Sequence, residues 1–150
     1  MQTEIVKAAA ELFSVHGLQA ISVPRLMAEV GQTHGGFYRR FRSKDVLAAE
    51  ACRALFTQIL QRIREKRASR HNALSLQREI PEFRALALLA TDAARSEAGS
   101  EFKGVYLNGM RRVVAAIDDS HNDSAKDGEQ ILAATLGAFI LQEACKPRDS

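Results

Sequence analysis

The sequence predicts an all-α protein: a three-helix N-terminal head joined by a long fourth helix to a short helical back region. Three observations carry that prediction. Apolar residues recur at i, i+3, i+4 and i+7 in segment after segment. Glycine, proline or serine marks the ends of those segments, where helices start and stop. No segment alternates apolar with polar residues as a half-buried strand would, and there is no internal repeat or low-complexity tract.

The first helix is expected over Thr3 to His16, with Ile5, Ala8, Ala9, Leu12 and Phe13 on one face and Gly17 as its stop. A second is expected over Val23 to Val30. Ser22 is its N-cap, and Pro24 sits in the first turn, where a missing N–H costs little. Val23, Leu26, Met27 and Val30 form its apolar stripe, and Gly31 is placed as a left-handed cap. Thr33 can then cap a short third helix, His34 to Arg40, with Phe37 and Phe41 turned inward. Thr33, His34, Gly35, Gly36, Tyr38, Arg39 and Arg40 are left facing outward. Helix, glycine-marked turn and short second helix is the pattern of a helix-turn-helix, whose second helix enters the DNA major groove.

A fourth helix is capped by Ser43 and runs from about Lys44 to about Arg67, with Val46, Leu47, Cys52, Phe56, Ile59, Leu60 and Ile63 in a drifting stripe. It spans about 35 Å at 1.5 Å per residue, long enough to anchor a head that buries little apolar surface of its own. Ser69 to Gln77 is the expected boundary. Beyond Pro81 a helix over Glu82 to Ser96 carries Phe83, Leu86, Ala87, Leu89, Ala90 and Ala94. The next starts near Glu101 and places Phe102, Val105, Tyr106, Met110, Val113, Val114 and Ile117 on one side. A turn over Asp118 to Ser124, with Ser124 and Asp127 as a capping box, leads to a last helix that ends near Cys145, before Pro147. The division is 1–50 for the head and 51–150 for the back region.

Composition sets the outer bounds. At 150 residues and 46% hydrophobic content the chain suits one compact unit or two small ones sharing a core. Charged residues interrupt every apolar run, so no membrane span is predicted, and the N-terminus lacks a secretion pattern. Cys52 and Cys145 have no metal or redox spacing and are read as core thiols, a thiol switch being the alternative. A cytoplasmic protein with no metal and no cofactor is expected. Up to Arg70 there are twelve basic and six acidic residues, a net +6 that leaves −3 for the remainder of a +3 chain. A basic front fits nucleic-acid binding. No paired carboxylates, nucleophile elbow, phosphate-cradling glycine loop, HExxH or CxxC supports an enzyme.

Between Ile5 and Ala51 the elements AAAELFSVHG, the SV that opens the second helix, AEVG, THGGFYRRF and SKDVL occur in that order. Together they resemble the N-terminal DNA-binding domain of TetR/AcrR-type transcriptional regulators, in a THGGFY version. The back region resembles the regulatory half of that family loosely, mainly in ALALLATDAARSE. The resemblance implies a transcriptional regulator, a one-component repressor of a near-palindromic double-stranded operator, released by a small apolar ligand. The alternative is a shortened relative acting as a helical protein-interaction module without operator control. Members usually end in two long helices that form a dimer bundle. Here the chain stops soon after the first, so the regulatory region is expected to be truncated.

The candidate DNA-binding residues are Ser22, Arg25, Thr33, His34, Gly35, Gly36, Tyr38, Arg39, Arg40 and Lys44. Gly35 and Gly36 let the backbone approach base edges, at a cost in helix stability of about 1 kcal/mol each against alanine. Arg39 and His34 can donate to purine acceptors. Ser22 opens a helix N-terminus suited to a phosphate. By resemblance to the family motif, Thr33, Tyr38 and Lys44 hold phosphates, the alternative for Tyr38 being a half-buried core aromatic. Arg40 either faces DNA or pairs with Asp45 or Glu50.

The back region offers two further sets. Phe56, Phe83, Leu86, Leu89, Phe102, Tyr106, Met110 and Phe139 either line an apolar ligand cavity, with Tyr106 as its polar handle, or simply fill a core. Leu132, Leu136, Phe139, Ile140 and Glu143 form the expected homodimer face on the last helix, with Gly137 and Ala138 allowing close approach.

Overall fold

The computed structural model describes residues 2–66, 80–119 and 128–147. Among these there are seven helices and no strand: α1 Gln2–His16, α2 Val23–Glu29, α3 His34–Tyr38, α4 Lys44–Lys66, α5 Glu82–Arg95, α6 Glu101–Asp118 and α7 Gly128–Ala144. The expected boundary at Ser69 to Gln77 lies outside the described residues. So does most of the turn expected over Asp118 to Ser124, with the expected Ser124 and Asp127 capping pair; Asp118 itself is the last residue of α6 and Asp119 its C-cap.

Local chemistry sets the ends of the head helices. Gly17 takes φ +79° and its N–H donates to Phe13 O at 2.9 Å, closing α1 with a single left-handed cap. Gly31 takes φ +65° after α2. Its N–H donates to Ala28 O, and the Gln32 N–H donates to Met27 O at 2.8 Å, the paired bonds of a Schellman motif. Ser22 caps α2 by accepting the Arg25 N–H, and Ser43 caps α4 by accepting the Val46 N–H, each at 3.3 Å. Thr33 has the extended backbone of an N-cap but makes no side-chain capping bond, contrary to expectation, so its hydroxyl is left for other partners.

The buried residues form one cluster that runs from Ile5 in α1 to Leu136 in α7. α4 packs most extensively on α6, and α1 lies against both α4 and α5, so head and back region share a core. Phe37 and Phe41 stack at 5.5 Å beneath α3 and are buried. On α5 the inward residue after Leu89 is Ala93, with Asp92 beside it, and Ala94 is exposed. α7 joins α5 and α6, and its first N–H donates to Asp118 Oδ1 at 2.6 Å.

The expected dimer face needs correction. Leu132 is 2% and Leu136 9% exposed, because both pack into the chain's own core. Glu143 is tied to Arg84 of α5, Nε to Oε1 at 2.8 Å, and accepts Lys146 as well. Phe139 is partly buried against the core. Of the expected set only Ile140 is exposed; Leu141, outside that set, is 67% exposed. The open apolar face is rotated by about one residue, to Ala133, Gly137, Ile140, Leu141 and Ala144, and a Cβ at Gly137 would meet nothing within 4 Å. Sequence phase could not decide this, because α7 is apolar on all sides.

Candidate nucleic-acid interface

The turn from α2 to α3 puts most of the expected DNA-binding residues at the surface. Ser22, Arg25, Thr33, His34, Gly35, Tyr38 and Arg39 are exposed, and Gly36 and Arg40 are partly so. Residues 22–44 hold five basic side chains and one acidic, so the segment is electropositive. Tyr38 is 59% exposed, held by edge-on contacts to His34 at 5.4 Å and Phe37 at 5.0 Å. Its ring is therefore held by its two neighbours while more than half of the residue is open to solvent.

The glycines are informative by what surrounds them. Neither Gly35 nor Gly36 has positive φ, so no backbone strain demands glycine. A Cβ at Gly35 would meet nothing within 4 Å, and one at Gly36 would make ordinary contacts at 3.6 Å with Arg40 Nη1 and Thr33 Oγ1. Alanine would fit both sites and favour the helix. The fold itself therefore gives no reason for two glycines here, whereas a surface approached closely from outside does.

Two of the expected contacts are engaged within the chain. Arg40 Nη1 donates to Gly36 O at 3.0 Å, which replaces the pairing with Asp45 or Glu50. Asp45 is turned instead to α6, where Oδ1 accepts Ser100 Oγ at 2.6 Å and Oδ2 accepts the Glu101 N–H at 2.7 Å. Lys44, the expected phosphate contact, donates its ammonium to Leu18 O at 2.6 Å. Burial lowers its pKa from the ordinary value, and the Asp92 charge acts in the opposite direction. Ser22 spends its hydroxyl on the α2 cap.

The expected cavity residues meet in the core. Phe56, Phe83, Leu86, Leu89, Phe102 and Tyr106 are buried, with Met110 and Phe139 at the margin. The Tyr106 hydroxyl, the expected polar handle, donates to Leu86 O at 2.9 Å, and its ring packs edge-on to Phe56 at 5.9 Å. A cleft of about 10 Å³, room for about one water, lies between α1, α4, α5 and α6, lined in part by Phe13, Ala48, Cys52 and Leu55. Only Leu89 and Phe102 of the expected set reach it. Burial pushes the Cys52 thiol up to about 12, while Cys145 is exposed.

Asp92 is the side chain that sequence reasoning missed, and Asp45 the one it assigned to the wrong partner. Asp92 is only 6% exposed and accepts the Leu18 N–H at 2.8 Å. The available signal was an acid three residues after Leu89, on the apolar side of its helix.

An exposed short helix, behind a Schellman-capped turn and in an electropositive segment, defines a helix-turn-helix regulator class. Residues 5–51 match the model of the tetR family of bacterial regulatory proteins. Solved structures share the fold over nearly the full length of this chain. The reduced form of E. coli NemR superposes with a TM-score of 0.76 at 16% identity, over 95% of this chain and 86% of that one. AibR, solved with isovaleryl coenzyme A and operator DNA, gives 0.62 at 14% identity, over 99% and 89%. FadR from Bacillus subtilis, solved with stearoyl-CoA, gives 0.59 at 14% identity, over 97% and 90%. At these identities the likeness is one of fold. No curated protein sequence matches the chain. No helix among the described residues is long and apolar enough to cross a membrane.

Proposed function

We propose that this protein is a sequence-specific DNA-binding transcriptional repressor, active as a homodimer and released by a small apolar ligand. The observation that carries the reading is the α3 surface: two glycines with no internal reason to be glycine, flanked by exposed His34, Tyr38 and Arg39, in a head that matches the tetR family. In this reading the head, 1–50, enters the major groove. Arg39 and His34 read bases, while Arg25, Thr33, Tyr38, the Ser22 end of α2 and, once released from Leu18, Lys44 lie along the phosphates. The body, 51–150, joins two heads and takes the ligand.

The open face of α7 supports the dimer. A helix apolar all round is covered on both sides, and one side of α7 is left bare at Ile140 and Leu141. The neighbours that hold coenzyme A thioesters support a body that answers to a small ligand. The core around Tyr106 is closed here, so ligand entry requires it to open, beginning at the cleft between head and body. Selection from a random duplex pool tests the reading. A near-palindromic consensus is expected, and a pool that stays random sinks it in favour of a helical interaction module.

A further inference from the structure

Asp92 is the one charged residue among those described that is buried in the core. A buried carboxylate is costly unless it is hydrogen-bonded or faces a cation. Its Oδ2 accepts the Leu18 N–H, 74 residues away in the chain, and the Leu18 carbonyl accepts the Lys44 ammonium. One residue of the α1–α2 loop is thus held from both sides, at its N–H by α5 and at its C=O by α4. Gly17 makes room for this. It turns the chain with a left-handed φ, and a Cβ there would stand 3.3 Å from Asp92 Oδ2. Lys44 is only partly buried while its ammonium is bonded to the Leu18 carbonyl, so the side chain can be reached from solvent without opening the core.

We propose that Asp92 is a positioning residue for DNA binding: with Leu18 and Lys44 it forms a clasp that docks the head on α5 and competes with DNA phosphate for the Lys44 ammonium. The clasp rests on the DNA-binding reading above. Leu18 leads directly into α2, so any displacement of α5 reaches the helix-turn-helix through the Leu18 hydrogen bond. The same displacement alters the hold on Lys44. A body helix is thereby wired to one phosphate contact and to the orientation of the head.

The test measures binding of the full chain to a fluorescent duplex of random sequence across a potassium chloride series. Asp92→Asn keeps an acceptor for the Leu18 N–H and removes the charge. It is expected to tighten binding by about two-fold, because the Asp92 charge that favours the Lys44 ammonium at its place on the Leu18 carbonyl is gone. In a Lys44→Met background the same substitution is expected to change nothing, whereas a general charge effect would persist. Lys44→Met alone should flatten the logarithmic salt slope by about one unit. Affinity unchanged by Asp92→Asn, or equally raised with and without Lys44, overturns the proposal. So does loss of folding in Asp92→Asn, which would make the charge purely structural. A wild-type chain that binds no duplex is a separate result: it overturns the DNA reading itself, and the clasp with it.

Discussion

Gly109 of α6 lies flat against the ring of Phe56 in α4, so close that a Cβ at residue 109 would overlap the ring. This contact lets α4 and α6, the most extensive helix pair, approach face to face. Gly109→Ala should therefore destabilise the chain by about 1–3 kcal/mol, the usual cost of overpacking, which exceeds the helix-propensity gain of alanine. Urea unfolding measures it. Phe56→Leu in the same chain should recover part of the loss, and a neutral Gly109→Ala would mean that the ring yields freely.

Gly35 predicts the opposite sign. Alanine meets nothing within 4 Å there, so Gly35→Ala should raise stability by about 0.5–1 kcal/mol. It should also weaken binding to the selected consensus, since in the proposed reading the added methyl faces the groove. Arg39→Ala should cost about 1–3 kcal/mol of specific binding and relax preference at one base position. Fluorescence anisotropy on consensus and mutated sites separates the two effects. Full affinity in Gly35→Ala would show that the backbone makes no close approach.

The last helix separates folding from association. Leu141→Glu places a charge on the open face and should yield a folded monomer by light scattering, with operator binding greatly weakened. Leu136→Glu places the same charge in the core and should unfold the body. A Leu141→Glu protein that remains dimeric would move the interface elsewhere.

The two cysteines should differ sharply in reactivity. The thiolate is the nucleophile, and burial holds Cys52 as a thiol to about pH 12, whereas Cys145 is exposed. Iodoacetamide should modify Cys145 in the native state and Cys52 only after unfolding. Mass spectrometry of the digested protein reads both sites. Native labelling of Cys52 would reopen a thiol switch at that position.

Hydrogen bonds from Arg84 and then Lys146 hold the Glu143 carboxyl well below its ordinary 4.5, at about 2. A depressed folded value means that the tie between α5 and α7 is complete above the ordinary value. It is lost as pH falls from 4.5 toward about 2. The difference in melting temperature between wild type and Glu143→Gln should shrink over that range. A constant difference would show that the charge on Glu143 contributes nothing.

The sequence by itself determined the helices and the head. Gly17 was legible as a helix stop and Gly31 as a left-handed cap, Ser22 and Ser43 as N-caps, and Phe37 and Phe41 as the buried side of α3, because each depends on neighbours within a few residues. The exposed α3 residues followed from the same periodicity. Tertiary structure alone decided what lies between distant segments. Lys44 turns to Leu18, Asp45 to Ser100 and Glu101, and Asp92 to Leu18, and no local pattern encodes a partner 26 to 74 residues away. Which side of α7 is open was likewise undetermined, since a helix apolar all round has no preferred phase until α5 and α6 cover one face. Periodicity tells a chain where to bury surface; only packing tells it against what.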